Sequence, residues 1–262
     1  MELGLKDKVA FVAASSQGLG KAAAVSLAKE GARLVICSRN EHTLKATEAE
    51  IRSLTGVQVF SQTADVSKPE EIDRAVQAAV KHYGTIDILV NNAGGPPAGK
   101  ISALTDDDWE RGFELTMMSM IRMTRAVLPF MEQQKWGRVI SIVSLSAKQP
   151  IDDLMISSTL RPGILGLTKI LANQYGKYGI TVNSVCPGYF LTQRQKELGA
   201  ARSKEKNISM EEYLKESAQS IPVGRLGRPE ELGDVITFLA SERASFINGA
   251  NILVDGGQAK GV

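Results

Sequence analysis

The residues with the clearest chemical potential lie near the start of the chain. There Ala13-Ala14-Ser15-Ser16-Gln17-Gly18-Leu19-Gly20 follows the apolar run Val9–Val12 and leads into a helical pattern through Lys29. A glycine-bearing turn between strand and helix lets the backbone approach a pyrophosphate, which the helix N-terminus then stabilises. The same turn also serves tight strand–helix packing with no ligand. A second group follows the next apolar run, where Ser38-Arg39-Asn40 contains no carboxylate. An acid at that strand end would bind the ribose 2′-hydroxyl of NAD(H) and repel a 2′-phosphate. Arg39 can instead pair with a phosphate and Ser38 can hydrogen-bond it. NADP(H) is therefore expected ahead of NAD(H), a solvated Arg39 being the alternative. The two cysteines, Cys37 and Cys186, have no paired spacing and each follows an apolar run. They read as small buried hydrophobes, and no metal site is expected.

These groups need a scaffold, and the pattern of apolar runs supplies one. Val9–Val12, Leu34–Cys37, Val57–Phe60, Ile88–Val90, Val139–Val143 and Thr181–Cys186 read as buried parallel strands, with Ile252–Val254 as a seventh. Helical patterns lie between them. Ser67 with Pro69 and Glu70 suggests a capping box before an apolar face of Ile72, Ala75, Val76, Ala79 and Val80. Thr105 with Asp108 opens another helix that runs through Trp109, Phe113, Met117, Ile121 and Thr124 to Pro129. Strand–helix alternation of this kind implies an α/β, Rossmann-type doubly wound parallel sheet with helices on both faces. No linker or repeat divides residues 1–262, so one domain is expected. The polar, charged, helix-compatible stretch 192–221 reads as a lid-like insertion.

A net charge of +2 gives no electrostatic case for nucleic acid or an anionic membrane. No stretch approaches the roughly 18 apolar residues a membrane span needs, and Met1–Lys8 has no apolar signal region. A cytoplasmic protein acting on a small molecule is expected.

Several spaced motifs together resemble the short-chain dehydrogenase/reductase family, in particular members like the 3-oxoacyl-acyl carrier protein reductases. The glycine turn is similar to that family's Thr-Gly-x-x-x-Gly-x-Gly loop, with Ala13 and Ala14 at its first two positions and Gln17 where a basic residue is usual. A methyl group at Ala14 is expected to be tolerated only if the backbone there avoids positive φ. Asp65-Val66, Asn91-Asn92-Ala93-Gly94, Asn183, Pro187-Gly188, Thr192 and Val254-Asp255-Gly256-Gly257 continue the likeness along essentially the whole chain. The resemblance implies cofactor contacts from Ala14, Ser16, Gln17, Gly18, Leu19, Gly20, Ser38, Arg39, Asp65, Val66, Asn92, Ala93, Gly94, Arg161, Pro187, Gly188 and Thr192. It also implies a homo-oligomer, tetramer or dimer, formed through long helices and the region Pro229–Val262. Leu232, Val235, Ile236 and Leu239 form an apolar stripe there, which by itself reads as core.

The same resemblance locates the catalytic positions. Gly137-Arg138-Val139-Ile140-Ser141-Ile142-Val143-Ser144 matches the fifth strand and puts the family's substrate-orienting serine at Ser144. The general-acid tyrosine position, thirteen residues on, is Ser157, and the lysine position, four further, is Arg161. The asparagine position falls on Thr116. Ser157 is a poor acid beside tyrosine and shorter in reach. Arg161 keeps a positive charge yet exchanges no proton near neutral pH. Thr116 cannot reproduce an asparagine's bond to a relay water. Pro162 disfavours helical geometry at Arg161, so the helix here is expected to start later or to kink. Tyr189 and Lys148 are further candidates for supplying the missing proton, with packing or solvent-facing roles as the alternative. Gly94-Gly95-Pro96-Pro97 would shape the floor of the same cleft.

Two functions follow. One is an NADP(H)-dependent oxidoreductase acting on a carbonyl or alcohol through an atypical site. The other is a catalytically silent dinucleotide-binding or regulatory protein. Elimination or isomerisation of an anionic substrate gripped by Arg161 is a third.

Overall fold

Apolar residues flanked by helical connections on both sides can hide both faces of a strand, and this chain uses that solution seven times. In order the elements are β1 (Val9–Val12), α1 (Gly18–Lys29), β2 (Arg33–Ser38), α2 (Glu41–Thr55), β3 (Val59–Thr63), α3 (Pro69–Tyr83), β4 (Ile88–Asn91) and α4 (Asp106–Phe113). There follow α5 (Ser119–Gln134), β5 (Gly137–Ile142), α6 (Met155–Tyr175), β6 (Ile180–Pro187), α7 (Gln193–Lys206), α8 (Met210–Gln219), α9 (Pro229–Ala240) and β7 (Asn251–Val254). This computed structural model describes residues 2–261. Met1 and Val262, at the ends of the expected N-terminal segment and C-terminal stretch, lie outside the described residues.

The strands form one sheet in the order β3-β2-β1-β4-β5-β6-β7, every neighbouring pair parallel. Successive side chains along each strand point to opposite faces. Ala10, Val12, Leu34, Ile36, Ile88, Val90 and Ile140 pack on one side against Leu27 of α1, Leu44 and Ile51 of α2, and Leu232, Ile236 and Leu239 of α9. Val9, Phe11, Val35, Cys37, Leu89, Val139 and Val182 pack on the other against Ile72 and Val76 of α3, Met123 and Val127 of α5, and Ala172 of α6. The apolar stripe of α9 is thus core, with Val235 packed at its margin. Cys37 and Cys186 are buried free thiols, and burial pushes the Cys37 pKa up to about 11.

Several local expectations change in the folded chain. Strand β3 begins at Val59 rather than Val57 and continues through Ser61, Gln62 and Thr63, because its ladder with β2 needs backbone groups, not apolar side chains. Ser67 does not cap α3. The N-cap is Lys68, with Pro69 as first helical residue, and Ser67 donates through both N and Oγ to Asp65 Oδ1 at 2.9 and 2.7 Å. That local turn competes with capping for the same hydroxyl. Thr105 and Asp108 do form the expected capping box. The helical run they open passes through a π-helical turn, Glu114–Met118, and continues beyond Pro129 to Gln134. Helix α6 does not start late, and its helical run is not interrupted at Pro162. It is continuous from Met155 to Tyr175, with the proline inside it, and buried packing of Ile156, Ile164 and Ala172 outweighs one missing helical bond.

Asn183 shows how a polar residue fixes the sheet from within. It is fully buried in β6, donates Nδ2 to the Ile247 carbonyl at 2.8 Å and accepts the Ala250 amide at 3.0 Å, holding the approach to β7. Asn183→Ala would leave both backbone groups without partners. It is expected to lower unfolding free energy by about 2–4 kcal/mol in a urea titration. A loss below about 0.5 kcal/mol would show that these bonds do not secure the edge.

Candidate active site

The order of the strands reverses about β1, so the connections leaving β1 and β4 diverge and open a crevice at the strand ends. A cleft of about 650 Å³ occupies this place, a size suited to a small molecule or cofactor. One end is formed by Ala14, Ser16, Gln17, Gly18 and Leu19 of the glycine turn, with Ser38, Arg39, Asp65 and Val66 beside it. Asn92, Ala93 and Gly94 after β4, with Pro187 at the end of β6 and Gly188 and Thr192 beyond it, also line the cleft. Ser144, Ser157, Arg161 and Tyr189 line the far part.

The turn is held tightly. Asn92 Nδ2 donates to the carbonyls of Ala13 and Ala14 at 3.3 and 3.0 Å, and the Ser15 amide donates to the Cys37 carbonyl at 2.9 Å. Thr47 of α2 donates its hydroxyl to the Ser16 carbonyl at 2.9 Å. Gly20 does not line the cleft but makes this arrangement possible, since a Cβ there would stand 2.6 Å from Asn92 Nδ2 and 2.7 Å from the Ala14 carbonyl. Ala14 itself has φ +46°, so the condition set for an unstrained methyl group there is not met. Asn92 holds the carbonyls of this residue and its neighbour in that conformation, so the methyl group is carried at a strained position. Helix α1 then begins at Gly18 with no acidic residue in its first turn. Its leading amides have no partners within the helix and, with its dipole, favour an anion.

At the β2 end Arg39 is exposed on the cleft, and Asn40 and Thr43, which sequence reasoning did not single out, stand beside it. The Ser38 hydroxyl donates to the Asn40 carbonyl at 3.2 Å, so its proton faces the chain rather than the space beside Arg39. Asn40 caps α2 by accepting the Thr43 amide at 3.0 Å. An asparagine placed between a strand end and the helix it caps is the signal that could have found this pair.

Ser144, Ser157 and Arg161 come together at the other end. Ser144 Oγ accepts two hydrogen bonds from Ser146, from N at 3.1 Å and from Oγ at 2.9 Å. Ser146 Oγ lies 2.8 Å from Ser157 Oγ. Arg161, only 5% exposed, donates Nη1 to the carbonyls of Val143 and Ile142, while its Nε has no hydrogen-bond partner. Burial lowers the Arg161 pKa to about 10, with Cys186 opposing the shift and the charge of Arg194 adding to it. The group stays cationic at neutral pH without a carboxylate beside it among the described residues. Thr116 is not brought to the cleft. It is fully buried in the π-helical turn, where its hydroxyl donates to the Gly112 carbonyl at 2.6 Å. Lys148 ends a short turn after β5 and does not line the cleft either.

Helices α7 and α8 fill the stretch read as a lid. Thr192 caps α7 through the Gln195 amide at 3.2 Å, and its methyl stands 3.9 Å from where a side chain on Gly18 would begin. Arg194 donates to the Pro96 carbonyl at 2.9 Å across the cleft and lies against Gly95. Arg202 makes a two-pronged ion pair with Asp153 at 2.6 and 2.8 Å and donates to Tyr213 Oη at 3.0 Å. Burial works against its charge, yet these bonds raise its pKa above the ordinary value. No helix among the described residues is long and apolar enough to cross a membrane, and no described cluster could hold a metal ion.

A family model described as "Enoyl-(Acyl carrier protein) reductase" matches residues 13–259. The chain is 35% identical over 254 residues to "Dehydrogenase/reductase SDR family member 4" of Oryctolagus cuniculus, covering 97% of this chain and 94% of the relative. It is 35% identical to "Uncharacterized oxidoreductase YvaG" of Bacillus subtilis, with both chains fully covered. Among solved structures it resembles L-sorbose reductase from Gluconobacter frateurii complexed with NADPH and L-sorbose, with TM-score 0.95, 33% identity and both chains fully covered. It also resembles a single-residue variant of actinorhodin polyketide ketoreductase with NADPH, with TM-score 0.94, 32% identity and 99% and 100% of the two chains covered.

The strain at Ala14 is testable without any ligand. Ala14→Gly removes the methyl from a positive-φ position and is expected to raise unfolding free energy by about 0.5–1 kcal/mol in urea. An unchanged or lowered midpoint would show that φ +46° carries no penalty at this residue.

Proposed function

The chain belongs to the short-chain dehydrogenase/reductase family, and from that premise we propose that it is an NADP(H)-dependent oxidoreductase acting on a carbonyl or alcohol. The observation that carries this reading is the convergence on one cleft of the glycine turn, Arg39, Ser144, Ser157 and Arg161. The residues present fit the cofactor. The leading amides of α1 and the uncovered positive end of that helix suit a diphosphate. Arg39 suits a 2′-phosphate, and the buried Arg161 Nε lacks a partner that a ligand hydroxyl would supply. The NADPH complexes named for the sorbose reductase and the polyketide ketoreductase support NADP(H) over NAD(H).

Bound NADPH supplies a hydride at its nicotinamide ring. The chain's own task is to orient the substrate oxygen and deliver a proton to it. Ser144 Oγ already accepts two bonds from Ser146, so its hydrogen is left to point outward to a carbonyl oxygen. Arg161 contributes a fixed positive charge where negative charge develops. Ser157, Tyr189 or water in the cleft then replenishes the proton. Helices α7 and α8, fastened through Arg194 and Arg202, serve as the lid over substrate. The ketone-reducing relatives support a carbonyl substrate, and a cytoplasmic dimer or tetramer completes the reading.

A silent dinucleotide-binding protein is the second reading, favoured by one feature: Arg161 is bonded to strand carbonyls and Ser157 to Ser146, so neither presents a free acid. Titration with NADPH and NADH, followed by nicotinamide fluorescence, tests the cofactor. NADPH is expected to bind more tightly. Arg39→Ala should weaken NADPH by about tenfold to a hundredfold, the worth of a charged hydrogen bond, and leave NADH unchanged. Equal weakening of both would remove Arg39 from phosphate recognition. NADPH binding with no reduction across a broad ketone panel would favour the silent reading.

A further inference from the structure

We propose that Ser157, Ser146 and Ser144 form a proton wire that feeds the substrate oxygen and takes the place of a tyrosine acid. The proposal rests on the oxidoreductase reading and names how its site obtains a proton. It assigns a role to Ser146, a residue no motif singled out.

The direction of the wire follows from counting donors and acceptors. A serine hydroxyl has one proton to donate and two lone pairs that accept. Both lone pairs of Ser144 Oγ are engaged, by the Ser146 amide at 3.1 Å and the Ser146 hydroxyl at 2.9 Å. Ser146 has therefore placed its one proton on Ser144. The 2.8 Å contact between Ser146 and Ser157 must then carry the Ser157 proton toward Ser146. All three hydroxyls point the same way along the chain, Ser157 to Ser146 to Ser144 and on to the cleft. Hydroxyls aligned in this sense polarise one another, and the effect is greatest away from water. Ser146 is fully buried, and Ser144 and Ser157 both line the cleft.

The wire answers the weakness of serine as an acid. A lone Ser144 that gave up its proton would be left as an alkoxide on the cleft wall. With the wire, hydride adds to the carbonyl carbon, the C=O π pair moves to oxygen, and that oxygen takes the Ser144 proton. Ser144 takes the Ser146 proton, Ser146 takes that of Ser157, and Ser157 takes one from a cleft water that bulk solvent reprotonates. The balance is one carbonyl, one NADPH and one solvent proton giving one alcohol and one NADP⁺. The alkoxide of serine and the alcoholate formed on the substrate are of similar basicity, so each transfer is close to even in energy. Arg161 lies four residues beyond Ser157 on α6 and so on the same helix face. Its fixed charge stabilises the negative charge that reaches Ser157 when that hydroxyl gives up its proton. Ser146 is a positioning and relaying residue, while Ser144 touches the substrate.

The test is reduction of a ketone panel by NADPH with wild type, Ser146→Ala and Ser157→Ala, alongside NADPH affinity measured by fluorescence. Ser146→Ala is expected to lower kcat by roughly tenfold or more, with KM and NADPH affinity kept within about twofold. Ser157→Ala breaks the wire at its other end and should behave alike, which covers a Ser146 variant that fails to fold. In mixtures of H₂O and D₂O the wild-type rate should bend with deuterium content, as several moving protons require, and straighten in either variant. If both variants keep kcat within about twofold and the wild-type plot is straight, the wire is wrong while the oxidoreductase reading stands. If wild type binds NADPH and reduces no ketone, both fall together.

Discussion

The carboxamide of Asn92 reaches from the end of β4 to the carbonyls of Ala13 and Ala14, and the mouth of the cleft is arranged around that contact. It fixes the first turn after β1 in a conformation that costs Ala14 about 1–2 kcal/mol of backbone strain. It also sets how closely α1 approaches, because the space beside Asn92 Nδ2 admits no side chain at residue 20. The Ser15 amide and the Thr47 hydroxyl tie the same turn to β2 and α2. The N-terminus of α1 consequently faces the cleft, where its unpartnered amides and dipole favour an anion, and the strand ends that bear Arg39 and Ser144 open onto the same space.

Two buried arginines in this chain have contrasting surroundings. Arg138, at 2% exposure, reaches the carbonyls of Gly137, Gly179 and Ser241, lies over the Trp136 ring and approaches Glu242 at 3.5 Å. Its charge is shared among partners, as a structural cation requires. Arg161 has strand carbonyls on one side, an unpartnered Nε and a like charge in Arg194 nearby. A buried charge without a counter-charge works against folding unless something else makes use of it. Its place on the cleft wall is consistent with a ligand completing its contacts.

The segment over the cleft is controlled by arginines too, and neither was visible in the sequence. Arg194 finds the Pro96 carbonyl 98 residues away, and Arg202 finds Asp153 across 49 residues. Within α7 these residues sit among glutamates and lysines that show no preferred face. Local charge patterning could not separate them from solvated neighbours. The bridge between Gly99 and Leu154 brings the two loops together so that both arginines have something to hold.

What the sequence by itself determined is the architecture. Seven apolar runs separated by helical patterns leave little choice other than a parallel sheet covered on both faces, because each run hides two faces and each connection is long enough to cross over. The glycine turn, the missing carboxylate after β2 and the family likeness located the cleft's residues, since strand ends in such a sheet share one edge. Tertiary structure decided the rest. Ala14 takes positive φ in a turn whose carbonyl is held by Asn92, 78 residues distant. Whether Pro162 breaks α6 depends on packing at Ile156, Ile164 and Ala172 rather than on local preference. Thr116, in the π-helical turn, is buried with its hydroxyl on the Gly112 carbonyl. The meeting of Ser144, Ser146 and Ser157 depends on α6 folding back against the turn after β5, a contact across 11 residues that no local periodicity encodes.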